Sequence, residues 1–444
     1  MHYLFKHVLM RDTAYGMQLG RRRRALHRQA AEAIENAHAL DLAPHYADLV
    51  YHYHHAEDAA QECHYATLAG KVAAEAGSYE AAVHFLSRAL ELTPADDLEA
   101  RYDLLLAREE AHHIQGAREA QVADLAALVQ LEGLSQDADE DALINVGWAA
   151  AIARRQARYA EATSDYTAAI TAAQRAVRLA RDADCPVEAA RAQEVWGRAL
   201  WRQGDYPAAQ AQHQQGIAVA RTVEKNHVAA AALAENLKGL GNVAWNLGEY
   251  ANARTYYERA LAIFQDIGNQ QGVGNCLNNL GNVVGSLGDY TLASEYLAQA
   301  LAIKEEIGER WGVSLCLNNL GVLTYVLGDY DTSRNYFMQA LAICREIDDR
   351  EGEARSLASL GEAVMIAGQY AAAGDYLQQA LVTAQKIGSR EVEGVVLNTL
   401  GALALFQHQF PEARGHYRQA ITIHTELEQR SEERRVGKEC ATGC

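Results

Sequence analysis

Leu277-Asn278-Asn279-Leu280-Gly281-Asn282-Val283-Val284-Gly285-Ser286-Leu287-Gly288-Asp289-Tyr290 is the stretch on which the fold turns. Cys276, Leu277, Leu280, Val283, Val284 and Leu287 recur at three- and four-residue steps, the stripe of an amphipathic helix. Gly288 then offers a left-handed stop without a Cβ penalty, Asp289 can cap a following helix, and Tyr290 falls in its first turn. In that second helix Ala293, Leu297, Ala300 and Leu301 lie on one face, and Ile307-Gly308 supplies another glycine stop. Small residues at Gly281, Ala293 and Ala300 let the two helices approach closely.

The same unit recurs. Leu-Gly stands at 240–241, 280–281, 320–321, 360–361 and 400–401, five copies in a register of 40 residues. Other columns keep step: Gly248, Gly288, Gly328 and Gly368, then His408; Tyr250, Tyr290, Tyr330 and Tyr370, then Phe410; Ala260, Ala300, Ala340, Ala380 and Ala420. Weaker upstream copies begin at Tyr206, Tyr166 and Tyr79, with a degenerate one at Ala117. About nine helix-turn-helix units are therefore expected between residues 65 and 429.

Leu277, Leu280-Gly281, Gly288, Tyr290, Ala293, Leu297 and Ala300 resemble the tetratricopeptide repeat (TPR), and the Leu-Asn-Asn-Leu-Gly at 277–281 and 317–321 resembles the 40-residue type found in kinesin light chains and G-protein-signalling modulators. The usual late proline is missing; Gln265 and Gln385 stand near its place, as an extra helical turn would allow. The resemblance implies an all-α, right-handed superhelical solenoid whose concave face binds a protein or peptide.

Composition agrees with helices. The 444 residues are 49% hydrophobic and 22% charged, with only 5 prolines. Forty basic against 58 acidic residues leave a net charge of −18, which argues against generic nucleic-acid or membrane binding. Cys63, Cys185, Cys276, Cys316, Cys344, Cys440 and Cys444 form no CxxC and no dense framework, which suits a reducing, cytoplasmic compartment. The N-terminus has no uninterrupted apolar signal region, and no apolar run approaches the roughly 20 residues that span a bilayer.

Residues 1–64 do not follow the repeat. Tyr3-Leu4-Phe5-Lys6-His7, Ala14-Tyr15, Arg21 to Arg24, Leu26-His27, Ile34-Glu35, Ala43 and His45-Tyr46 resemble the region after the NTPase and winged-helix domains of bacterial STAND-class signalling ATPases, including regulators joined to cyclase or transcriptional output domains. That resemblance implies a winged-helix remnant, a helical linker into the repeats and an NTPase upstream. No GxxxxGK[ST] loop occurs, since Gly70-Lys71 lacks the earlier glycine and Val72 follows, so neither a nucleotide nor any other cofactor is expected on this chain. Residues 430–444 break the pattern and are expected to be a disordered or non-native tail.

In a TPR solenoid the first helix of each unit faces the groove. Positions five and two before the Leu of Leu-Gly, and two and five after it, share one helical face. They are Glu235, Lys238, Asn242 and Trp245; Asn275, Asn278, Asn282 and Gly285; Leu315, Asn318, Val322 and Tyr325; Arg355, Ala358, Glu362 and Met365; Val395, Asn398, Ala402 and Leu405. With Asn279, the asparagines form a ladder that offers donors and acceptors to an extended peptide backbone, or alternatively ties neighbouring helices together. Lys238, Asn242 and Asn279 also fall where TPR carboxylate clamps hold a partner's C-terminus, but Asn318 and Val322 replace the third repeat's basic residue, which leaves half a clamp.

Other clusters carry less. His45, His52, His54, His55 and His64, like His112-His113, lack the converging partners of a metal site, so a mixed exposed and packed histidine face is expected. Arg21 to Arg24 and Arg28 are balanced by acids across residues 1–60, which favours a solvated face, or contact with an upstream NTPase module, over phosphate or DNA contact. No GxSxG, HExxH or based nucleophile suggests an enzyme. The expected function is a non-catalytic interaction or sensor region of a bacterial signalling ATPase or transcriptional regulator, or alternatively a free-standing TPR adapter.

Overall fold

The computed structural model describes residues 20–136, 143–223 and 226–441, with side chains left undescribed at 135–136, 143–146 and 427–441. The described residues form 20 α-helices and one short 3-10 turn, Ala43–His45, and no strand. The segment Tyr3 to His7, from which the winged-helix resemblance starts, lies outside the described residues. No helix among them is long and apolar enough to cross a membrane.

The chain divides into two compact units after Tyr159. In the first, α1 (Gly20–Ala37) packs on α2 (Tyr46–His55), which packs on α3 (Ala59–Glu75). Then α4 (Tyr79–Leu92), α5 (Leu98–Gln115) and α6 (Arg118–Gln136) follow, each on its predecessor, before α7 (Leu143–Ala162). Leu86, Leu105 and Leu128 fill this core, and Tyr102 stacks on Trp148 with ring centroids 4.0 Å apart.

The second unit holds the regular array. Its helices are α8 (Tyr166–Asp182), α9 (Pro186–Arg202), α10 (Tyr206–Ala220), α11 (His227–Asn246), α12 (Tyr250–Asp266), α13 (Gln270–Ser286) and α14 (Tyr290–Glu306). They continue as α15 (Arg310–Val326), α16 (Tyr330–Glu346), α17 (Arg350–Ile366), α18 (Tyr370–Ile387), α19 (Arg390–Phe406) and α20 (Phe410–Ala441), whose backbone stays helical past the boundary expected at 429. Packed pairs recur within each unit: α3 with α4 and α5 with α6 in the first, and six successive pairs from α9 with α10 to α19 with α20 in the second.

The turns follow the residues that announced them. Gly288 sits at φ +91°, and Asp289 accepts the backbone N–H of Leu292 at 3.1 Å. Asp205, Asp329 and Asp349 cap their helices in the same way. Gly281 permits the close crossing within a pair, because a Cβ there would meet Leu297 Cγ at 2.6 Å. Gly241 lies against Tyr257, Gly321 against Phe337 and Gly361 against Leu377 in the same geometry.

Within this unit the first helices of neighbouring pairs also touch each other, α9 on α11, α13 on α15 and α17 on α19. The first-helix layer is therefore the one along which the repeats converge, and it carries the inner surface of the array.

Candidate functional site

The inner row is best formed where α9, α11, α13 and α15 lie side by side. Trp201, Asn242, Trp245, Asn246, Tyr257, Asn279 and Asn282 line a cavity of about 260 Å³. On one side it adjoins a void of about 20 Å³ among Glu194, Arg198, His213 and Lys238. On the other it shares Trp245 and Asn282 with an open cavity of about 470 Å³ that reaches Val322 and Val326.

Three contributors come from a repeat whose groove positions the sequence pattern had not supplied. Trp196-Gly197 stands 44 residues before Leu240-Gly241, in the same structural column. The positional rule applied there yields Glu194, Arg198 and Trp201. The signal was the tryptophan in place of leucine, obscured by four extra residues between the repeats.

The ionic end of the row is internally paired. Arg198 binds Glu161 through Nε and Nη2, both at 2.7 Å, and Glu194 through Nη1 at 2.7 Å. Lys238 pairs with Glu235 at 2.5 Å. Burial works against the charge on Arg198, but Glu194 and Glu161 outweigh it and hold the guanidinium charged. Glu194 is raised above the usual carboxylate range, first by burial and then by Glu235 and Glu161, against the pull of Arg198 and Lys238. With Lys238 neutralised by Glu235, the free cation that a carboxylate clamp requires is missing from its expected place.

Beneath this end His213 is 1% exposed, its ring wedged between Gly197 and Gly239. Asn236 donates its amide to the carbonyls of Ala190 at 3.0 Å and Ala232 at 2.9 Å, which leaves its oxygen as the acceptor facing His213 Nδ1. Burial lowers the His213 pKa to about 4, so the ring is neutral.

The asparagine ladder divides into two kinds. Asn278 is 4% exposed and accepts from Asn319 Nδ2 at 2.8 Å, so it ties α13 to α15. Asn279 donates to Asn242 at 3.4 Å, and Asn242 also accepts the Tyr257 hydroxyl at 2.7 Å. Asn275 accepts from Lys304 at 2.6 Å. Asn282 makes no hydrogen bond among the described residues and borders both larger cavities. Asn318 keeps a buried amide oxygen without a partner.

Farther along, Tyr325 donates its hydroxyl to Glu362 at 3.2 Å, and burial with that carboxylate pushes its pKa up to about 12. Arg355 bridges Glu351 at 2.8 Å and Glu391 at 3.5 Å. Asn398 is exposed and stands apart from the two larger cavities. The predicted residues are thus brought together from Lys238 to Asn282, while Arg355 and Asn398 belong to a separate charged and polar stretch.

The other clusters are placed as follows. His27 and His52 approach with Nδ1 atoms 2.9 Å apart, and His54 meets Glu62 at 3.0 Å. Among the described residues no three of His, Cys, Asp or Glu converge to hold a metal. Arg24 pairs with Glu57 and Arg28 with Asp58. Burial pushes the thiols of Cys276 and Cys316 up to about 12, far from a nucleophilic thiolate.

Residues 229–306, 313–381 and 358–426 match the tetratricopeptide repeat family. No curated protein matches the chain. Among solved structures, aspartyl phosphate phosphatase F from Bacillus subtilis aligns at TM-score 0.54 and 12% identity, covering 80% of this chain and 92% of that one. The Rap conjugation gene regulator of plasmid pLS20, solved with the Phr* peptide, aligns at 0.53 and 13%, covering 81% and 94%. The apo form of RapI aligns at 0.52 and 15%, covering 63% and 99%. At these identities the likeness is one of fold: the described residues form an all-helical TPR-type solenoid.

Proposed function

We propose that the row from Glu194 to Val326 binds an extended segment of a peptide or partner protein, without catalysis. The observation that carries this is Asn282, whose amide makes no hydrogen bond among the described residues, whereas Asn242, Asn278 and Asn279 beside it are bonded to one another or to Asn319. It stands beside Trp245 where two cavities meet. An extended backbone presents the donor and acceptor that such an amide lacks, and the tryptophan supplies apolar area beside it. The pLS20 regulator, which shares the fold, was solved with a peptide, and that supports the same class of ligand here.

The test is a displayed library of short random peptides selected on the full chain and on a Trp245→Ala, Asn282→Ala variant. Peptides enriched on the former and lost on the latter are expected. Equal enrichment on both would place binding elsewhere.

The finer context we infer from residues 1–64 is that of a bacterial signalling ATPase or transcriptional regulator, with an NTPase upstream whose switch the occupied groove would bias. A solenoid whose repeats contact only their neighbours has soft curvature, and a ligand seated across several repeats can tighten it. An upstream reading frame continuous with Met1 and containing a P-loop is expected. A stop codon followed by a ribosome-binding site would favour the free-standing adapter instead.

A further inference from the structure

We propose that the cavity between Trp245, Val322 and Val326 seats one large uncharged side chain of the bound peptide, aromatic or branched aliphatic, and that Gly285 is the position that admits it. This rests on the groove reading above and specifies its ligand.

The fifth residue after the one preceding the helix-crossing glycine is Trp201, Trp245, Tyr325, Met365 or Leu405 in neighbouring repeats, and Gly285 in this one. Packing does not require glycine there. A Cβ built on Gly285 would meet only Ala293 Cβ, at 3.5 Å, an ordinary contact, and the backbone is helical. Gly285 stands in the last turn of α13, where the equivalent residues of other repeats carry large side chains, and the fold gains nothing from glycine there, so the position serves something else. What its missing side chain leaves is the cavity of about 470 Å³, within the range of about 300–1,000 Å³ that ligand sites occupy.

The lining selects the occupant. Gly281 and Leu297 lie at the floor, and Val322 and Val326, 46% and 56% exposed, form a wall. No charged side chain lines this cavity, whereas Glu194, Arg198 and Lys238 line the void at the other end of the row. The charges at that other end are paired among themselves, so a peptide matched to this row carries its apolar anchor toward Val322. Asn282, one turn before Gly285, is placed to hold the backbone beside the anchor.

The experiment uses the same displayed random peptides and the full chain, with Gly285→Leu to fill the cavity and Val322→Asp to charge its exposed wall. Peptides selected on the wild type should share one large apolar residue. Replacing that residue by alanine should weaken binding to the wild type about tenfold or more and change binding to Gly285→Leu little. Gly285→Leu should melt no lower than the wild type, so that its loss of affinity reports the cavity. Val322→Asp should weaken binding likewise. If Trp245→Ala abolishes binding while Gly285→Leu and Val322→Asp leave it unchanged, the anchor cavity is wrong and the groove stands. If all three leave it unchanged, the groove reading fails and the cavity with it.

Discussion

His213 Nδ1 lies 3.2 Å from Asn236 Oδ1 inside an array whose corresponding columns hold Tyr257 with Cys276 and Leu297 with Cys316. The neighbouring repeats fill this layer with aromatic, aliphatic or thiol groups, and here a bonded polar pair replaces them. Gly216 accommodates it, since a Cβ there would meet Asn236 Oδ1 at 2.3 Å. The corresponding positions are Ala260 and Ala300.

Burial of His213, against the upward pull of its Asn236 hydrogen bond, makes stability depend on mild acid. Because the folded pKa of His213 is depressed to about 4, both states are neutral above the unfolded value of roughly 6.5 and the full stability is present. As pH falls from roughly 6.5 toward 4 the unfolded chain takes a proton and the folded one does not, so stability drops by about 3 kcal/mol. The double variant His213→Leu, Asn236→Cys should lose that part of the slope in urea titrations run across this window. Parallel curves for the two proteins would show that His213 is not the group responsible.

Two glycines four residues apart on α13 should respond with opposite signs. Gly281→Leu drives its side chain into Leu297 and should cost about 3 kcal/mol or more by overpacking. Gly285→Ala meets only an ordinary contact and, standing in the last turn of α13, should gain a few tenths of a kcal/mol from helix propensity, less than the roughly 0.5–1 kcal/mol of a helix interior. Thermal melting of both variants checks the register, and an unchanged melting temperature for Gly281→Leu would contradict it.

Lys304 and Glu309 should be unequal partners. The lysine side chain is 1% exposed, threaded past Gly274 and Gly312, and its ammonium reaches Glu309, Asn275 at 2.6 Å and the Gln271 carbonyl at 3.4 Å. Glu309 stands where Asn269 and Asp349 cap their helices, yet its carboxylate makes no cap and serves the lysine. Glu309→Ala strands a buried cation and should cost about 3–5 kcal/mol. Lys304→Met keeps the packing and leaves a carboxylate, 22% exposed, that water can reach, so it should cost less than about 2 kcal/mol. The reverse order in denaturant titrations would refute this account.

Asn278 and Asn282 should separate stability from binding. Asn278→Ala removes the Asn319 bond between α13 and α15 and should cost about 1 kcal/mol with peptide affinity unchanged. Asn282→Ala should leave the melting temperature alone and weaken the selected peptides. An affinity loss confined to Asn278→Ala would transfer the recognition role to the buried asparagine.

Much of the array was legible because its determinants are local and repeated. Leu280-Gly281, Gly288 and Asp289 each specify one contact or turn, and the chain states them several times over. The groove was legible as a face but not as an inventory of free groups. Asn278 and Asn282 occupy equivalent faces of one helix in sequence, and only the neighbouring Asn319 decides that the first is bonded and buried. Trp201 and Arg198 escaped because Trp196 stands in the leucine column and the spacing there is 44 rather than 40. The His213–Asn236 pair joins residues on different repeats, and no local pattern announces such a partnership.

The convergence of first helices has an evolutionary corollary. Since the walls of the anchor cavity come from three consecutive modules of equal length, unequal recombination that removes or adds one 40-residue module would leave every crossing and turn intact while bringing a different trio of walls together. Such a lineage can exchange its ligand by changing how many modules it has, without altering a single residue in any of them.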